Sequence, residues 1–270
     1  MVDHHKKIDL VIPCAGKGKR LGYLTKDISK NMVVVNGSSI LEHQLHKFLI
    51  HKKKINKIHF ILGYKASILK SFILKLKLPF KIKFNINRKY KTTGCAYSFS
   101  SALKDFKNDI LILNSDLVLN QRKISNILNN KKVNFVYLRK PLQNKKDRPV
   151  KAKIYKNKIN KIDIYKNGYD LDVVGPFKFS LKSINSLKMI YKSINTSEFL
   201  KMSCYTFFGK IVDYTNLDYE ILNDLDWYEI KVTSRLAYVM KQNPLFGRKI
   251  MKKNMFNRYI PYIDECINFI

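Results

Sequence analysis

Residues 10–21 read LVIPCAGKGKRL. The apolar run at 10–12 predicts a buried strand, and a loop rich in Gly, Lys and Arg follows it directly at 14–20. A strand, a glycine loop and a helix are how an α/β nucleotide-binding unit begins. Glycine lets backbone N–H groups approach an anion because no Cβ stands in the way. The stretch therefore predicts an α/β domain whose first strand ends in an anion-binding loop.

The loop fits neither of two common glycine motifs. Leu21 stands where the dinucleotide-binding fingerprint GxGxxG needs its third glycine, and no GKS or GKT follows as in a P-loop. Arg20 adds a fixed charge that can form a fork of hydrogen bonds to phosphate oxygens. Two glycines alone are also compatible with a plain turn, so the residues around the loop must show whether it binds an anion.

Beyond the loop, the hydrophobic periodicity alternates between that of helices and that of strands. It predicts helices at 39–50, 67–77 and 96–106, and strands at 58–63, 81–87 and 110–113. The order β-α-β-α-β-α-β over the first 116 residues predicts a Rossmann-like, doubly wound and mostly parallel sheet. Ligands of such sheets bind at the carboxyl ends of the strands. The glycine loop and Asp116 both fall at such ends.

The later part of the chain predicts a small addition to this sheet. Strands are expected at 133–138, 173–179 and 227–232, a β-hairpin with a turn near Asn157 at 151–165, and a helix at 181–191. We expect one domain over 1–238, within which 139–179 form a hairpin or lid insertion on the acceptor side. The basic, aromatic segment 239–270 predicts a helical tail, which is a candidate for a homodimer interface.

The net charge of +32 comes from basic residues spread along the whole chain. This spread favours compositional drift and small anionic substrates over a dedicated nucleic-acid surface. The four cysteines form no CxxC pair, which argues against a zinc site or a disulfide framework. The polar start lacks a signal-peptide pattern, and no apolar run approaches the roughly 18 residues of a membrane span. We therefore expect a cytoplasmic protein without a membrane span.

Two blocks of the sequence resemble a known enzyme family. In the first block the loop pattern AGxGxRL is followed by Lys30, Gly37 and the helix start ILE at 40–42. Residues 11–45 thereby resemble the signature of the nucleoside-diphosphate-sugar pyrophosphorylase-like nucleotidyltransferases. That family usually has a proline before the signature lysine, where this chain has Ser29.

The second block, NRKYKTTGCAYS at 87–98, is similar to the phosphocholine- and phosphonate-type cytidylyltransferases. In these enzymes a short Thr/Asn loop precedes a helix that begins with Tyr-Ser, whereas sugar-1-phosphate enzymes more often have Gly-Thr-Ala there. Val150-Lys151 and the segment 172–179 also match this subgroup. The resemblance spans about residues 1–238 and implies the α/β fold of the nucleotide-diphospho-sugar transferases.

The resemblance implies a magnesium-dependent nucleotidyl transfer from CTP to a phosphorylated small molecule. A phosphate or phosphonate oxygen attacks the α-phosphorus in line and pyrophosphate leaves, which requires positioning and charge neutralisation. Arg20 and Lys30 are the expected catalytic contacts with the phosphates. The expected nucleotide-binding residues are Ala15, Gly16, Lys17, Gly18, Lys19, Thr92, Thr93 and Gly94. The expected acceptor-binding residues are Lys151, Asp172 and Tyr228.

Magnesium requires hard carboxylate oxygens. Asp116, which follows a buried strand, is the expected first ligand. The family usually supplies the second ligand from a late strand of pattern WxEID, and this chain reads WYEIK, with Lys231 in the place of that aspartate. Glu229 shares a strand face with position 231 and is the expected substitute, helped by Asp224 or Asp226 from the preceding loop. A site with one carboxylate and an enzyme of reduced activity are the alternatives.

The favoured function is thus a cytidylyltransferase that activates a phosphocholine-like compound, a phosphonate or a sugar phosphate for surface glycans or lipids. The alternative in the same class is a sugar-1-phosphate uridylyl-, guanylyl- or thymidylyltransferase. A third interpretation, favoured by Lys231 and the charge of +32, is a catalytically weakened nucleotide-binding homologue or a nucleic-acid-binding module on the same fold.

Overall fold

The structure, a computed structural model, describes residues 7–141, 150–164 and 168–230. Its strands are β1 (Ile8–Cys14), β2 (Val34–Val35), β3 (Ser38–Ser39), β4 (Ile55–Leu62), β5 (Lys81–Ile86), β6 (Ile110–Ile112), β7 (Leu117–Leu119), β8 (Phe135–Arg139), β9 (Val150–Tyr155), β10 (Lys158–Ile164), β11 (Leu171–Phe179), β12 (Asp218–Ile221) and β13 (Trp227–Glu229). Its helices are α1 (Ile40–Leu49), α2 (Ala66–Lys75), α3 (Cys95–Ser100), α4 (Gln121–Asn129), α5 (Leu181–Ser193), α6 (Thr196–Lys201) and α7 (Cys204–Gly209).

The central sheet runs in the order β5-β4-β1-β6-β11-β8-β12, and the hairpin β9–β10 also pairs with the start of β11. Strand β1 is parallel to β4 and β6, β4 is parallel to β5, and β8 is parallel to β12. Strand β11 is antiparallel to β6, β8 and β9. This topology confirms the predicted doubly wound, mostly parallel sheet.

The side chains of β1 alternate between two hydrophobic layers, one on each side of the sheet. Val11 packs in the layer that contains Phe99 of α3 and Ile184 of α5. Leu10 and Ile12 pack in the opposite layer with residues of α1, α2 and α4. A strand covered on both faces reads as an unbroken apolar run, which is why the start of β1 was recognisable in the sequence.

Helix α1 begins at a capping box. The Glu42 backbone N–H donates to Ser39 Oγ at 3.2 Å, and the Ser39 backbone N–H donates to the Glu42 carboxylate at 2.8 Å. Each bond satisfies a backbone donor that the first helical turn would otherwise leave unused. The predicted helix at 39–50 is therefore confirmed almost residue for residue.

The predicted helix at 96–106 is shorter in the structure. Helix α3 ends at Ser100, and a separate 3-10 turn follows at Leu103–Asp105. The hydroxyls of Ser100 and Ser101 donate to the carbonyls of Tyr97 and Ser98. Such bonds give the backbone an alternative to the helical ladder, which accounts for the early end.

The turn between β9 and β10 lies at the predicted position. Lys156 and Asn157 both have positive φ angles, of 46° and 57°. A two-residue hairpin loop with both central residues in the left-handed region matches the twist of the flanking strands. The hairpin predicted at 151–165 is thus confirmed over 150–164.

Strand β11 interrupts its pairing with β8 between Val173 and Phe177. Gly175 lies in this interruption with φ +81°, and a Cβ there would be 3.1 Å from Nδ2 of Asn114. The glycine therefore lets β11 approach Asn114 closely, just beyond the end of β6.

Several elements were not predicted, namely β2, β3, β7, β12, α4, α6 and α7. Strand β7 has three residues, too few for a periodic signal, and α4 is a nine-residue helix in which only Ile124 and Ile127 are buried. The expected tail at 239–270, the boundary at 238 and the end of the strand predicted at 227–232 lie outside the described residues. Within the described part of the chain, no helix has the length and apolar character that crossing a membrane requires.

Candidate active site

Lys30 and Asp116 meet at the carboxyl-end edge of the sheet. Lys30 belongs to the turn Lys30–Met32 that follows the glycine loop, and Asp116 lies just after β6. Lys30 Nζ lies 2.8 Å from Asp116 Oδ2, and the two side chains are only 16% and 14% exposed. The structure thus brings together a residue predicted to contact phosphate and a residue predicted to bind metal.

The segment that carries Asp116 is held by side-chain amides. Gln44 of α1 donates from Nε2 to the carbonyls of Asn114 and Leu117, at 2.8 and 2.7 Å. Asn31 donates from Nδ2 to the carbonyl of Ser115 at 3.2 Å. These bonds connect the segment to α1 and to the turn that carries Lys30, so the position of the carboxylate is well determined.

Ser29, where the related family usually has proline, is fully buried. Its φ angle of −69° is close to the value that a proline ring enforces. Its hydroxyl lies 3.4 Å from Oδ1 of Asn31. The serine therefore keeps the backbone conformation that places Lys30, without the ring.

The glycine loop lies directly against Lys30. Gly18 is in the left-handed region with φ +65°, and a Cβ there would be 3.0 Å from the Cβ of Lys30. The hydroxyl of Thr25 donates to the Gly18 carbonyl at 3.2 Å, which closes the turn. Gly16 is exposed, with no heavy atom within 4 Å of an added Cβ. Arg20 is exposed on the same turn.

Gly63, Tyr64 and Tyr90, which the sequence did not predict as site residues, lie along the glycine loop on the side of β4. The backbone N–H of Tyr64 donates to the Ala15 carbonyl at 3.0 Å. A Cβ on Gly63 would lie 2.7 Å from that carbonyl oxygen and 2.8 Å from the Cβ of Tyr90. Lys17 places Nζ 5.9 Å from the centre of the Tyr64 ring. The segment that follows β5 thus reaches the glycine loop through Tyr90.

Asn87 organises the predicted nucleotide loop at 92–94. It is buried, and its Nδ2 donates to Thr93 Oγ1 and Ser98 Oγ, both at 2.9 Å. The backbone N–H of Lys89 donates to its Oδ1 at 2.8 Å. Thr92 is exposed at the tip of the loop. A single buried amide thus ties the loop to the first turn of α3.

Gly94 lies against helix α6 and against Met202, the residue that follows this helix. Its backbone N–H donates to the Leu200 carbonyl at 2.6 Å. A Cβ at this position would lie 2.3 Å from the carbonyl oxygen of Met202, so no other residue fits without a backbone shift. The loop predicted to contact the nucleotide is therefore anchored on its far side by α6.

The second predicted metal ligand, Glu229, lies beside Asp116. Strand β13 pairs with β7 so that Glu229 is opposite Leu117, and the Ile230 N–H donates to the Asp116 carbonyl at 2.9 Å. Glu229 is 8% exposed. Tyr205 was not predicted: burial raises the pKa of its hydroxyl well above the usual value, and the negative charges of Glu229 and Asp116 raise it further. Both carboxylates therefore lie near one hydroxyl.

The donor set fits magnesium. Two carboxylates supply hard oxygen ligands, and Mg²⁺ in nucleotide enzymes is commonly held by one or two carboxylates together with substrate phosphates. Among the residues that the structure describes, no group of three or more His, Cys, Asp or Glu residues is placed to hold a metal. Asp116 and Glu229 would hold Mg²⁺, and the remaining positions suit phosphate oxygens and water.

Asp226 has a structural role instead. Its carboxylate accepts hydrogen bonds from Asn120 Nδ2 at 2.9 Å and from the Asn223 N–H at 3.0 Å, and Lys123 Nζ lies 3.6 Å away. The carboxylate thus joins the start of β13 to α4. Lys231, the departure from the family pattern, lies outside the described residues.

On the acceptor side, Lys151 and Asp172 are brought together. Asp172 is 1% exposed, with Lys151 Nζ 3.3 Å from Oδ1 and Arg139 Nη2 3.3 Å from Oδ2. Arg139 was not predicted, and its guanidinium lies 5.2 Å from the centre of the Trp227 ring. Tyr228 is half-buried and packs on the small hydrophobic cluster around Val118. Strand β11 places Asp172 on the same sheet edge as Asn114.

Part of the chain is similar in sequence to known nucleotidyltransferases. Residues 10–134 match the model of the nucleotidyl transferase family. A bifunctional protein GlmU from Methanococcus aeolicus is 34% identical over 48% of this chain and 30% of its own length. A CTP:phosphoglutamine cytidylyltransferase from Campylobacter jejuni is 31% identical over 46% of this chain and 49% of its own length. A choline-phosphate cytidylyltransferase from Haemophilus influenzae is 30% identical over 42% of this chain and 46% of its own length.

The chain thus spans half or less of the length of these relatives. The fold is similar to that of the inositol-1-phosphate CTP transferase from T. maritima. That structure superposes with a TM-score of 0.72 at 18% identity, over 90% of this chain and 96% of the other. The glycine loop, Lys30 and Asp116 all lie within residues 10–134, the part of the chain that matches the nucleotidyl transferase model.

Proposed function

We propose that this chain is a cytidylyltransferase that couples a phosphorylated small molecule to CTP and releases pyrophosphate. The observation that carries the proposal is the Lys30–Asp116 pair at 2.8 Å, placed at the carboxyl ends of β1 and β6 beside the glycine loop. A phosphate-neutralising cation and a metal-holding carboxylate next to an anion cradle are the parts that nucleotidyl transfer requires.

In the proposed reaction, an oxygen of the acceptor phosphate forms a bond to the α-phosphorus of CTP. The bond from that phosphorus to the bridging oxygen of the β-phosphate breaks, and its electron pair leaves with pyrophosphate. Two anions must approach each other, so positive charge is needed on both sides. Lys30 neutralises charge on the α-phosphate and on the acceptor phosphate. Arg20 and the loop amides bind the β- and γ-phosphates.

Magnesium, when bound, would neutralise and bridge phosphate oxygens. Asp116 and Glu229 are the residues that would hold it. Asn114 supports this arrangement, since its Nδ2 donates to the Tyr205 hydroxyl at 2.5 Å and to the Val174 carbonyl at 3.0 Å. These two bonds thereby hold Asn114 and Tyr205 in place next to both carboxylates.

The preference for CTP is supported by two relatives, which are named as acting on phosphoglutamine with CTP and on choline phosphate. The acceptor class follows from the charges near Lys151. Asp172 lies between Lys151 and Arg139, so the three side chains together carry one net positive charge. Such a cluster favours the anionic part of an acceptor over its ammonium group. We propose a phosphocholine-like compound, a phosphonate or a sugar phosphate as acceptor, used in the cytoplasm for surface glycans or lipids.

The test is a panel of CTP, UTP, GTP and dTTP, each combined with phosphocholine, 2-aminoethylphosphonate or glucose 1-phosphate. Pyrophosphate release is measured with Mg²⁺ and with EDTA, and Asp116→Asn is the negative control. We expect release with CTP only, and only with the metal. Release with UTP, GTP or dTTP alone would support the sugar-1-phosphate alternative. Nucleotide binding without turnover in every combination would support the weakened homologue, and tight, salt-sensitive RNA binding without turnover would support a nucleic-acid-binding module.

A further inference from the structure

Two cysteines from distant parts of the chain lie side by side next to the site. Cys95 is the first residue of α3 and Cys204 the first residue of α7. The backbone N–H of Cys204 donates to Cys95 Sγ at 2.8 Å. The thiol of Cys204 is also hydrogen-bonded to the sulfur of Cys95. The proposed enzymatic role uses neither thiol.

The backbone fixes this contact from both sides of Cys95. The N–H of Gly94 donates to the Leu200 carbonyl at 2.6 Å, and the N–H of Ala96 donates to the Met202 carbonyl at 3.2 Å. The absent side chain of Gly94 allows this approach, because a Cβ there would lie 2.3 Å from the Met202 carbonyl oxygen. The two backbone segments that carry the thiols are therefore held together by main-chain bonds.

The two cysteines differ in exposure and acidity. Cys95 is exposed, whereas Cys204 is buried. The hydrogen bond from the Cys204 thiol is the largest influence on the pKa of Cys95 and lowers it to about 7. The same bond, together with burial, raises the pKa of Cys204 well above its usual value. A large fraction of Cys95 is thus a reachable thiolate at neutral pH, while its partner stays protonated.

We propose that Cys95 and Cys204 form a redox-sensitive dithiol that a peroxide converts to a disulfide. In the first step the Cys95 thiolate attacks one oxygen of hydrogen peroxide, the O–O bond breaks, and a sulfenic acid and hydroxide form. In the second step the Cys204 sulfur attacks the sulfenic sulfur, the S–O bond breaks, and the Cys204 proton leaves with the hydroxyl as water. The two thiols lose two electrons in total, and the peroxide oxygens receive them.

The disulfide would connect two segments that flank the candidate site. Cys95 directly follows the loop at 92–94, and Cys204 directly precedes Tyr205, whose hydroxyl accepts from Asn114. Fixing these segments to each other restricts the approach of the loop to the nucleotide. We expect the oxidised protein to turn over more slowly, and we expect dithiothreitol to restore its rate. This expected effect on turnover rests on the proposed function, whereas the formation of the disulfide does not.

The experiment treats the full-length chain with stoichiometric hydrogen peroxide at pH 7.5, counts thiols after denaturation, and maps cross-linked peptides by mass spectrometry. We expect two of the four cysteines to be lost, a cross-link between the peptides of Cys95 and Cys204, and full recovery with dithiothreitol. The buried Cys14 serves as the internal control and should stay reduced. Retention of all four thiols, or a cross-link that joins Cys95 to Cys266, would overturn the proposal.

Single variants separate the two steps. In Cys204→Ser, peroxide should leave a sulfenic acid on Cys95 that dimedone traps, whereas Cys95→Ser should resist the same dose. Equal peroxide consumption in Cys95→Ser and in the wild-type protein would count against the assignment. The wild-type peptide map decides the question even if a variant folds poorly. Disulfide formation without any change in turnover would refute the expected effect on the site but would support the proposed pairing of Cys95 with Cys204.

Discussion

The Nζ atom of Lys30 lies 2.8 Å from Oδ2 of Asp116, although the two residues are separated by 86 positions in the chain. The pair joins the turn after the glycine loop to the end of β6. Both side chains are largely buried, so each charge depends on the other for compensation. A change in either residue should therefore affect stability as well as turnover.

The first prediction concerns Lys30→Met. The substitution removes the cation next to the attacked phosphorus, and we expect pyrophosphate release to fall by about 10²-fold or more. It also removes a partner of a largely buried carboxylate, which should lower the free energy of unfolding by about 1–3 kcal/mol. Steady-state kinetics and urea unfolding measure the two effects. Lys26→Met, at an exposed lysine four residues earlier, should change neither, and equal effects from both variants would contradict the role of Lys30.

The second prediction distinguishes two carboxylates on the same late segment. Glu229→Gln should raise the magnesium concentration needed for half-maximal turnover by about tenfold or more, because one hard ligand is lost. Asp226→Asn should lower the free energy of unfolding by about 1 kcal/mol, because it weakens the bonds to Asn120 and Asn223, and should leave the magnesium dependence unchanged. The measurement is a magnesium titration of pyrophosphate release. An unchanged titration for Glu229→Gln would show that one carboxylate suffices.

The third prediction compares two glycines. Gly94→Ala places a Cβ 2.3 Å from a backbone oxygen, and we expect it to destabilise the protein by about 1–3 kcal/mol or more. Gly16→Ala meets no atom within 4 Å, so its free energy of unfolding should stay nearly unchanged. The new methyl group would instead crowd the loop amides, and the KM for CTP should rise. Thermal unfolding and initial rates test the pair, and a strongly destabilised Gly16→Ala would contradict this separation.

The fourth prediction concerns acid stability and Asp9. Burial alone would raise the pKa of Asp9, but hydrogen bonds from His59, Asn56 and Asn108 outweigh it, and the pKa lies below its usual value. Since the unfolded value is about 4, the unfolded chain takes up this proton first as the pH falls. The contribution of Asp9 is therefore fully present above about pH 4 and is lost as the pH falls through the folded-state pKa.

Asp9→Asn, which keeps the shape of the side chain but does not titrate, isolates this effect. Urea unfolding at pH 7 should find the variant less stable by about 1–3 kcal/mol. The difference from the wild-type protein should shrink between pH 4 and pH 3. A difference that stays constant over this range would mean that the carboxylate charge of Asp9 does not contribute.

The parts of the fold that were predictable are those with local signals. Strand β1 is covered on both faces and reads as an apolar run, and α1 has its capping box within four residues. The hairpin turn has Asn157, which tolerates a positive φ angle. Strand β7 was missed because it has only three residues, and helix α4 because it is short and only Ile124 and Ile127 are buried in it.

The site was predictable only where residue type and motif coincided. Lys30 and Asp116 stood out in this way, and the structure brings them together. Tyr205 and Arg139 did not, since their roles arise from contacts with residues far away in the sequence. The need for glycine at position 94 also comes from a distant element, because it is the Met202 carbonyl that excludes a side chain.

The pairing of β13 with β7 has a consequence for how the protein is made. The segment 10–134 holds the glycine loop, Lys30 and Asp116, whereas Glu229 arrives with β13. During translation the ribosome releases the earlier segment first, so a nascent chain has the glycine loop, Lys30 and Asp116 before it has Glu229. On the proposed role of Glu229 as a metal ligand, we expect catalysis to wait for the emergence of β13, and we expect a chain cut short before Trp227 to bind a nucleotide without consuming it.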